Sequence, residues 1–527
     1  MGSTIAEVIA TTLAENGVEI VFGLPGGESI DLVAALEWAG IRFVLARHEA
    51  RAAWIADAYA RVGRRIGVCL ATLGPGAANL AAGLSHCYLD RAPVLALTAQ
   101  LEPALMAYHS HQRLDLRRLM APVTKGSWPI AVEDDVARLV REAMTLARSG
   151  RFGPVHLELP ASVAQSPAMP GSPAEEATRP LAVSEEVIRE AAEMLRTARR
   201  PAIVVGLGIE PSAPYTPLRR LAEALHAPVV VTPKAKGAIP KDHSLYAGVL
   251  GLERREAPAD LLRLADCILA VGFDPVELVM PWDFEAPLIF AAEFPNEDPQ
   301  LPAEIELIGD LGATLEALAA EPYGRSDWTP EEIARARPSW PEHDAGDGLF
   351  PSQLLRAVRE VLPEDGIVTC DVGSHKLLIG KLWPARAPNR FLVSNGLSIM
   401  GYALPAAIGA KLAEPSAPVV CFIGDGGMGM VASEMETAAR LGLPIVVIVL
   451  ADQAMSLIRL KQELAGYEPV GTLFSPVDWC AVARGYGARA AVACTVDEVR
   501  AAVQEGLSAG EPMVIEARID PSEYRSY

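Results

Sequence analysis

Two acidic residues at the ends of apolar runs carry the strongest chemical signal in the sequence. In PVVCFIGDGGMGMVASEMETAARLGLPIVVIVLADQAMSLIRLKQ, which begins at Pro418, one apolar run ends at Asp425, and a glycine-rich turn and a helical pattern follow. A second apolar run then ends at Asp452. A strand-helix-strand unit makes its two strands parallel, so their carboxyl ends share one edge of the sheet. Asp425 and Asp452, 27 residues apart in sequence, can therefore meet. Hard carboxylate ligands beside glycine amides suit a Mg²⁺ ion that bridges to a diphosphate. The same residues fit a rival pattern. Gly424, Gly426 and Gly429 spell G-x-G-x-x-G, and Asp452 follows the last glycine by 23 residues, near the place of a ribose-binding acid in a dinucleotide fold. Asp425 weighs against that rival, because a carboxylate between the glycines repels a bare pyrophosphate unless a cation intervenes. An ordinary structural turn with an incidental acid is the third reading.

A second signal is Glu49 in RFVLARHEARAAWIADAYAR, where a strand ends and a helix begins. Taken alone, an acid in a first helical turn is ordinary stabilisation of the helix terminus. Beside a diphosphate cofactor whose other end is an aminopyrimidine, a buried glutamate becomes a proton partner for a ring nitrogen.

These side chains need elements to place them. The chain has 527 residues, half of them hydrophobic and 21% charged, enough to bury a large interior divided into about three domains. Its net charge of −20 opposes nucleic-acid backbones and anionic membrane surfaces, so neither is expected as a main partner. Seven scattered cysteines without a C-x-x-C pair fit a reducing cytosol. The amino terminus lacks a basic region followed by an apolar one, and no apolar run is long enough to span a membrane, so a cytoplasmic location is expected. Apolar runs such as Val18 to Phe22, Arg42 to Leu45, Ile66 to Leu70 and VHLEL at Val155 to Leu159 alternate with helical patterns. That alternation predicts an α/β fold of three doubly wound parallel-sheet domains, at residues 1–163, 183–320 and 350–527. The Pro, Ala and Ser-rich stretch Ala161 to Pro180 and the polar stretch Glu321 to Gly348 are expected to be linkers.

Five segments, kept in order, carry a family resemblance: RHEARAAWIADAYAR, TLGPGAANL (Thr72 to Leu80), CDVGSHKL (Cys370 to Leu377), SNGLSIMGYALPAAIGAKLA (Ser394 to Ala413), and GDGGMGM with Asp452. Over nearly the whole chain the sequence resembles thiamine-diphosphate-dependent enzymes of the acetohydroxyacid synthase and pyruvate oxidase group. The resemblance implies a pyrimidine-binding first domain, a Rossmann-like middle domain serving as scaffold, and a diphosphate-binding third domain. It also implies roles for single residues. Glu49 bonds the pyrimidine N1′, favouring the imino form whose 4′-nitrogen takes the proton from thiazolium C2. Met400 is the wedge that keeps the cofactor bent, and the Ser398 carbonyl accepts from the 4′-amino group. Pro75 and Asn79 line the pyrimidine. Ser374, His375 and backbone amides at Gly424, Gly426 and Gly427 hold the diphosphate, while Asp425, Asp452 and the Ala454 carbonyl ligate Mg²⁺.

The family usually has asparagine at the position of Asp452. Catabolic acetolactate synthases have aspartate there, and HQRLD (His111 to Asp115), GFDPVE (Gly272 to Glu277) and ELIGD (Glu306 to Asp310) also resemble that subgroup. The biosynthetic synthases bind a structural FAD and carry an arginine-bearing segment in place of GFDPVE, so FAD is not expected here. GLGIEP at Gly206 is an incomplete glycine motif and is read as a turn. On the substrate side the resemblance points to Gln112, to His111 in place of a phenylalanine, and to a backbone loop at Gly26 and Gly27. Glu28 departs from the lysine that catabolic synthases carry nearby. Lys461 stands where biosynthetic synthases use a tryptophan, and a solvated helix lysine is the plain alternative. His109 and His111 are read as a polar wall, because an i, i+2 pair without a further ligand is a weak metal signal. The sequence ends with DPSEYRSY, so no long carboxyl-terminal lid is expected.

The activity implied is decarboxylation of a 2-oxo acid, pyruvate first, with transfer of the two-carbon unit to an acceptor carbonyl. The alternatives are a non-oxidative decarboxylase or aldehyde lyase on the same scaffold, a nicotinamide oxidoreductase, and a binding protein without turnover. A homodimer is the expected minimum, with Glu49 of one subunit facing Asp425 of another, and a homotetramer is the expected assembly.

Overall fold

The computed structural model describes residues 3–102, 104–172, 181–210, 212–342 and 348–526. Near-continuous runs of Val, Ile and Leu, such as IVVIVLA at Ile445–Ala451, form strands covered on both faces, the pattern of a buried parallel sheet. Three six-stranded sheets result. The first holds β1 (Ile20–Leu24), β2 (Arg42–Leu45), β3 (Gly67–Ala71), β4 (Val94–Gln100), β5 (Gly126–Pro129) and β6 (Val155–Pro160), in the order 2-1-3-4-6-5. The middle sheet holds β7 (Pro201–Val205), β8 (Val229–Val231), β9 (Tyr246–Val249), β10 (Cys267–Val271), β11 (Leu288–Ala292) and β12 (Ile305–Ile308), in the order 12-11-10-7-8-9. The third holds β13 (Ile367–Cys370), β14 (Phe391–Val393), β15 (Val419–Gly424), β16 (Ile445–Ala451), β17 (Arg489–Ala493) and β18 (Met513–Arg518), in the order 14-13-15-16-18-17. Every pairing is parallel, so the expected three-domain α/β architecture is observed.

The first and third sheets share one topology, with strand order reversing between β1 and β3 and between β13 and β15. In open α/β sheets, ligands bind beyond the carboxyl ends of strands at such a reversal. Gly27 and Pro75 follow β1 and β3, and Ser374 and Asp425 follow β13 and β15. Topology alone thus gathers residues that are remote in sequence. The helices Glu49–Gly63 and Ala403–Ala413 join the two domains in one core. They approach closely because small residues face each other; a Cβ on Gly409 would lie 2.2 Å from the Ile55 carbonyl oxygen.

Two expectations need correction. Ala161 to Pro180 is not all linker: Ala161–Gln165 is helical and Pro167 bridges to Thr4, so this part belongs to the first domain, while residues 173–180 lie outside the described ones. The stretch from Glu321 caps the middle domain. Trp328 is buried, donates from Nε1 to the Pro201 carbonyl at 2.8 Å, and lies 4.0 Å under the Arg200 guanidinium. Aromatic anchoring of this kind has no periodicity and is invisible to pattern reading. No helix among the described residues is long and apolar enough to cross a membrane, and the seven cysteines are free.

Burial also sets a pH dependence. His156 is fully buried between Thr98 Oγ1 (2.7 Å) and Ser127 Oγ (2.8 Å), and burial depresses its pKa from the ordinary 6.5 to about 3. The unfolded chain therefore binds the proton that the folded chain refuses. Stability from this site is complete above pH 6.5 and falls by roughly 1.4 kcal/mol per pH unit between there and about 3. Thermal melts should show a midpoint dropping as pH falls through this window, with a shallower slope in His156→Gln; identical slopes would exclude the ring as the cause.

Candidate active site

Beyond the carboxyl ends of β13, β15 and β16 lies a cavity of about 610 Å³ lined by Ser374, His375, Met400, Gly424, Asp425, Gly426, Gly427, Asp452 and Ala454, among others. The expected diphosphate and metal residues are therefore together. Asp425 opens the helix Asp425–Val431. Its Oδ2 accepts the backbone N–H groups of Asp452 (2.8 Å) and Gln453 (2.7 Å), and its Oδ1 accepts Trp479 Nε1 at 2.7 Å. Asp452 Oδ1 accepts its bond from the Ala454 N–H at 3.2 Å, and its Oδ2 accepts the Ser456 hydroxyl. A carboxylate offers about four lone-pair sites, so each retains at least one for a cation. Burial pushes the Asp452 carboxyl up to about 6, the Ser456 bond opposing and the Asp425 charge adding. A divalent cation at this edge would reverse that penalty.

The opposite wall offers donors. Ser374 Oγ and His375 Nε2 are buried without a hydrogen-bond partner among the described residues. Burial lowers the His375 pKa to about 4, so the ring is neutral at physiological pH. A diphosphate on a metal would supply the acceptor that both groups lack, and this donor set fits such a group. The glycines make the floor. A Cβ on Gly427 would lie 1.8 Å from Asp371 Oδ2, and one on Gly426 would lie 2.9 Å from Met400 Cε. Gly427→Ala is expected to cost about 1–3 kcal/mol by overpacking, lowering the apoprotein melting midpoint by a few degrees; an unchanged midpoint would refute the contact.

Several supporting residues escaped the sequence reading. Asp371, fully buried, accepts the Gly401 N–H at 2.8 and 3.0 Å, and burial raises its carboxyl to about 7 despite backbone bonds. It links the Gly427 floor to the loop that carries Met400. Asp90 accepts the N–H groups of Asn395 (2.9 Å), Gly396 (3.3 Å) and Leu397 (3.2 Å) from that loop, and pairs with Lys234 at 2.8 Å and His86 at 3.1 Å. Although burial opposes it, these cations hold the Asp90 carboxyl well below its usual range. Ser398 has φ of 53°, a strained conformation for a non-glycine residue, and its Oγ accepts from Lys376 Nζ at 3.1 Å. Tyr524, near the end of the chain, lines the cavity, so the carboxyl-terminal segment does reach the site.

The residues expected on the pyrimidine side form a separate group. Glu49 begins the helix Glu49–Gly63, is buried, and accepts from Asn79 Nδ2 at 3.0 Å. A Cβ on Gly76 would lie 3.3 Å from Glu49 Oε1, which leaves that oxygen facing open backbone beside Pro75 at the start of its helix. Neither Glu49 nor Asn79 lines the Asp425 cavity of the same chain, whose walls come from the third domain alone. Gly27 sits in a short turn beyond β1 where Thr72 Oγ1 donates to Glu28 at 3.0 Å. Gln112 has φ of 56° and packs over Gly74, 3.0 Å from where its Cβ would stand. His111 and Lys461 are exposed. The His109 and His111 rings are 6.3 Å apart and edge-on.

Comparison with known proteins matches the architecture domain by domain. Residues 3–119 match the thiamine pyrophosphate enzyme N-terminal TPP binding domain, 188–318 the central domain, and 371–517 the C-terminal TPP binding domain. The acetolactate synthase isozyme 2 large subunit of Escherichia coli (strain K12) is 33% identical, over 98% of this chain and 96% of its own. The chain belongs to the thiamine pyrophosphate enzyme family. Other relatives include the acetolactate synthase of Bacillus subtilis (strain 168), 30% identical over 98% of this chain and 93% of its own. A probable acetolactate synthase large subunit of Methanocaldococcus jannaschii is 31% identical over 98% and 92%. As a thiamine pyrophosphate enzyme, the chain has its two TPP binding domains on the two sheets of shared topology. The Asp425 cavity lies within the carboxyl-terminal one.

Proposed function

We propose that the protein is an acetolactate-forming enzyme that decarboxylates pyruvate and joins the two-carbon unit to a second pyruvate. The observation that carries this reading is the end-to-end likeness to proteins named acetolactate synthase, with the Asp425 and Asp452 cavity in the matched C-terminal domain. Thiamine diphosphate supplies a nucleophilic carbon and a cationic ring that accepts the electron pair when CO₂ leaves. The chain's residues do the rest. Asp425, Asp452 and the Ala454 carbonyl would hold Mg²⁺; Ser374 and His375 would donate to the diphosphate, with amides from Gly424, Gly426 and Gly427. Met400 and the Ser398 carbonyl would position the cofactor, Pro75 and Asn79 would flank its pyrimidine, and Glu49 would hold the proton at the ring nitrogen. Gly27, His111 and Gln112 face the substrate, and Lys461 stands at its outer wall. An apolar pocket that excludes water favours carbon–carbon bond formation over protonation to acetaldehyde. A panel of 2-oxo acids and acceptors, with chelator-treated enzyme as control, tests this. Pyruvate-dependent acetolactate that vanishes on chelation and returns with Mg²⁺ supports it, and metal-independent turnover contradicts it.

We further infer a dimer as the smallest active unit. Two observations support it: Glu49 and Asp425 do not share a cavity within one chain, and large apolar side chains in the segment that follows Asp452 are exposed. These include Leu464 (79%), Val470 (73%) and Leu473 (69%). Mixing inactive Glu49→Gln and Asp425→Ala subunits should restore about a quarter of the activity, because half the random dimers are hybrids and each hybrid has one intact site. No recovery after subunit exchange would place both residues in one chain's site.

A further inference from the structure

One short segment of the middle domain reaches both halves of the third domain's share of the cofactor site. Beyond β8 the chain runs through TPKAKGAIPK, residues 232–241, which carries Lys234, Lys236 and Lys241. Each lysine ends on another domain. Lys234 Nζ pairs with Asp90 of the first domain at 2.8 Å, the lysine side chain being 6% exposed and the acid fully buried. Asp90 is the carboxylate that holds the N–H groups of Asn395, Gly396 and Leu397, on the loop that leads to Ser398 and Met400. Lys236 Nζ donates to the Gly380 carbonyl, and Lys241 Nζ donates to the Leu382 carbonyl at 2.8 Å. Both carbonyls lie in the last turn of the helix Ser374–Leu382, whose first two residues are Ser374 and His375. The segment lies tight against the third domain at Gly237, where φ is 93° and a Cβ would lie 2.2 Å from the Ala387 carbonyl.

Burying an ammonium group is costly, and here the helix end offsets the cost. A helix leaves its last four carbonyls without partners inside the helix and carries about half a negative charge there. Lys236 is buried and forms no ion pair among the described residues. Burial pushes its pKa well below the usual lysine value, and nearby Lys241 adds to the shift. Its other neighbour is the Phe391 ring, 4.8 Å from Nζ. A lysine in apolar surroundings without a counter-ion lowers stability unless its donors are used, so this choice of residue points to the Gly380 carbonyl. The same turn is held from the same domain by the Lys381–Glu253 ion pair and by Leu252 packed on Gly380. A helix of nine residues is about 13 Å long and moves as a rod, so a change at its last turn is felt at Ser374 and His375.

We propose that Lys234, Lys236 and Lys241 are positioning residues for the cofactor, an inference that rests on the proposed roles of Ser374, His375, Ser398 and Met400. Lys236 and Lys241 set the helix that presents Ser374 and His375 to the diphosphate, and Lys234, through Asp90, sets the loop that presents Ser398 and Met400. None of the three lines the Asp425 cavity, so each acts through another group. The test measures thiamine diphosphate affinity from quenching of tryptophan fluorescence at saturating Mg²⁺, beside the apoprotein melting midpoint and C2-proton exchange by NMR on cofactor-saturated enzyme. Lys236→Met removes a buried charge and keeps an unbranched side chain, so the melting midpoint should stay close to that of wild type. Its cofactor affinity should nevertheless fall at least about tenfold, the scale on which groups behind a binding site act. Lys241→Met should weaken affinity several-fold, and Lys241→Arg, which keeps a donor for the Leu382 carbonyl, should recover most of it. Lys234→Met should slow C2-proton exchange at least about tenfold, more than it weakens affinity. The two helix-end variants carry the test if the unpaired Asp90 prevents Lys234→Met from folding. Wild-type affinity in both Lys236→Met and Lys241→Met would overturn the proposal, as would losses of affinity that only track a lowered melting midpoint. Wild-type protein that does not bind thiamine diphosphate would instead refute the proposed function itself.

Discussion

Glu49→Gln is expected to lower the rate of acetolactate formation by about 10²–10⁴-fold, the usual worth of a placed proton-transfer group, while leaving cofactor affinity nearly unchanged. The substitution keeps the side chain's volume in a position only 9% exposed. Glutamine can still accept from Asn79, 3.0 Å from the present carboxylate. On the proposed chemistry, what is lost is the acid that would share a proton with the pyrimidine, and with it the activation of the thiazolium carbon. Exchange of the C2 proton with solvent, followed by NMR on enzyme-bound cofactor, should slow in parallel with turnover. Cofactor affinity can be read from quenching of tryptophan fluorescence. A rate within threefold of wild type would remove Glu49 from the proposed chemistry.

Asp425→Ala should have a second large effect, of a different kind. The carboxylate meets three donors, the Asp452 and Gln453 amides and Trp479 Nε1, and so fixes the turn that presents Asp452. Loss of an outer partner of a metal site typically costs 10–100-fold in affinity, so loss of Asp425, a proposed ligand that also orders its neighbour, should cost at least about 100-fold in Mg²⁺-dependent cofactor binding. Asp425→Asn separates charge from shape, because it removes the negative charge and keeps an acceptor. If Asn behaves like wild type, the site needs the acceptor oxygen and not the charge, whereas an Ala variant that keeps Mg²⁺-dependent cofactor binding would remove Asp425 from the metal site. Saturating Mg²⁺ should partly rescue Asn and not Ala.

The residues at strand ends were legible because parallel strands oblige them to meet: Asp425 and Asp452 each follow an unbroken apolar run, and the sheet order brings Ser374 to the same edge. Glu49 was legible as a helix start. Asp371 was not, although it stands within a motif the sequence reading used. Its role depends on Gly401, 30 residues on, and on the space behind Gly427, and neither leaves a local pattern. The hold of Asp90 on the Met400 loop spans more than 300 residues and rests on a buried charge pair with the middle domain. Tyr524 was missed because a few residues after the last strand carry no periodicity.

The most direct test of the central claim is the product made from pyruvate alone. Holoenzyme incubated with labelled pyruvate, thiamine diphosphate and Mg²⁺, with products read by mass spectrometry, should give one 2-acetolactate and one CO₂ for every two pyruvates consumed. Acetaldehyde and CO₂ in equal amounts, with no acetolactate, would contradict it.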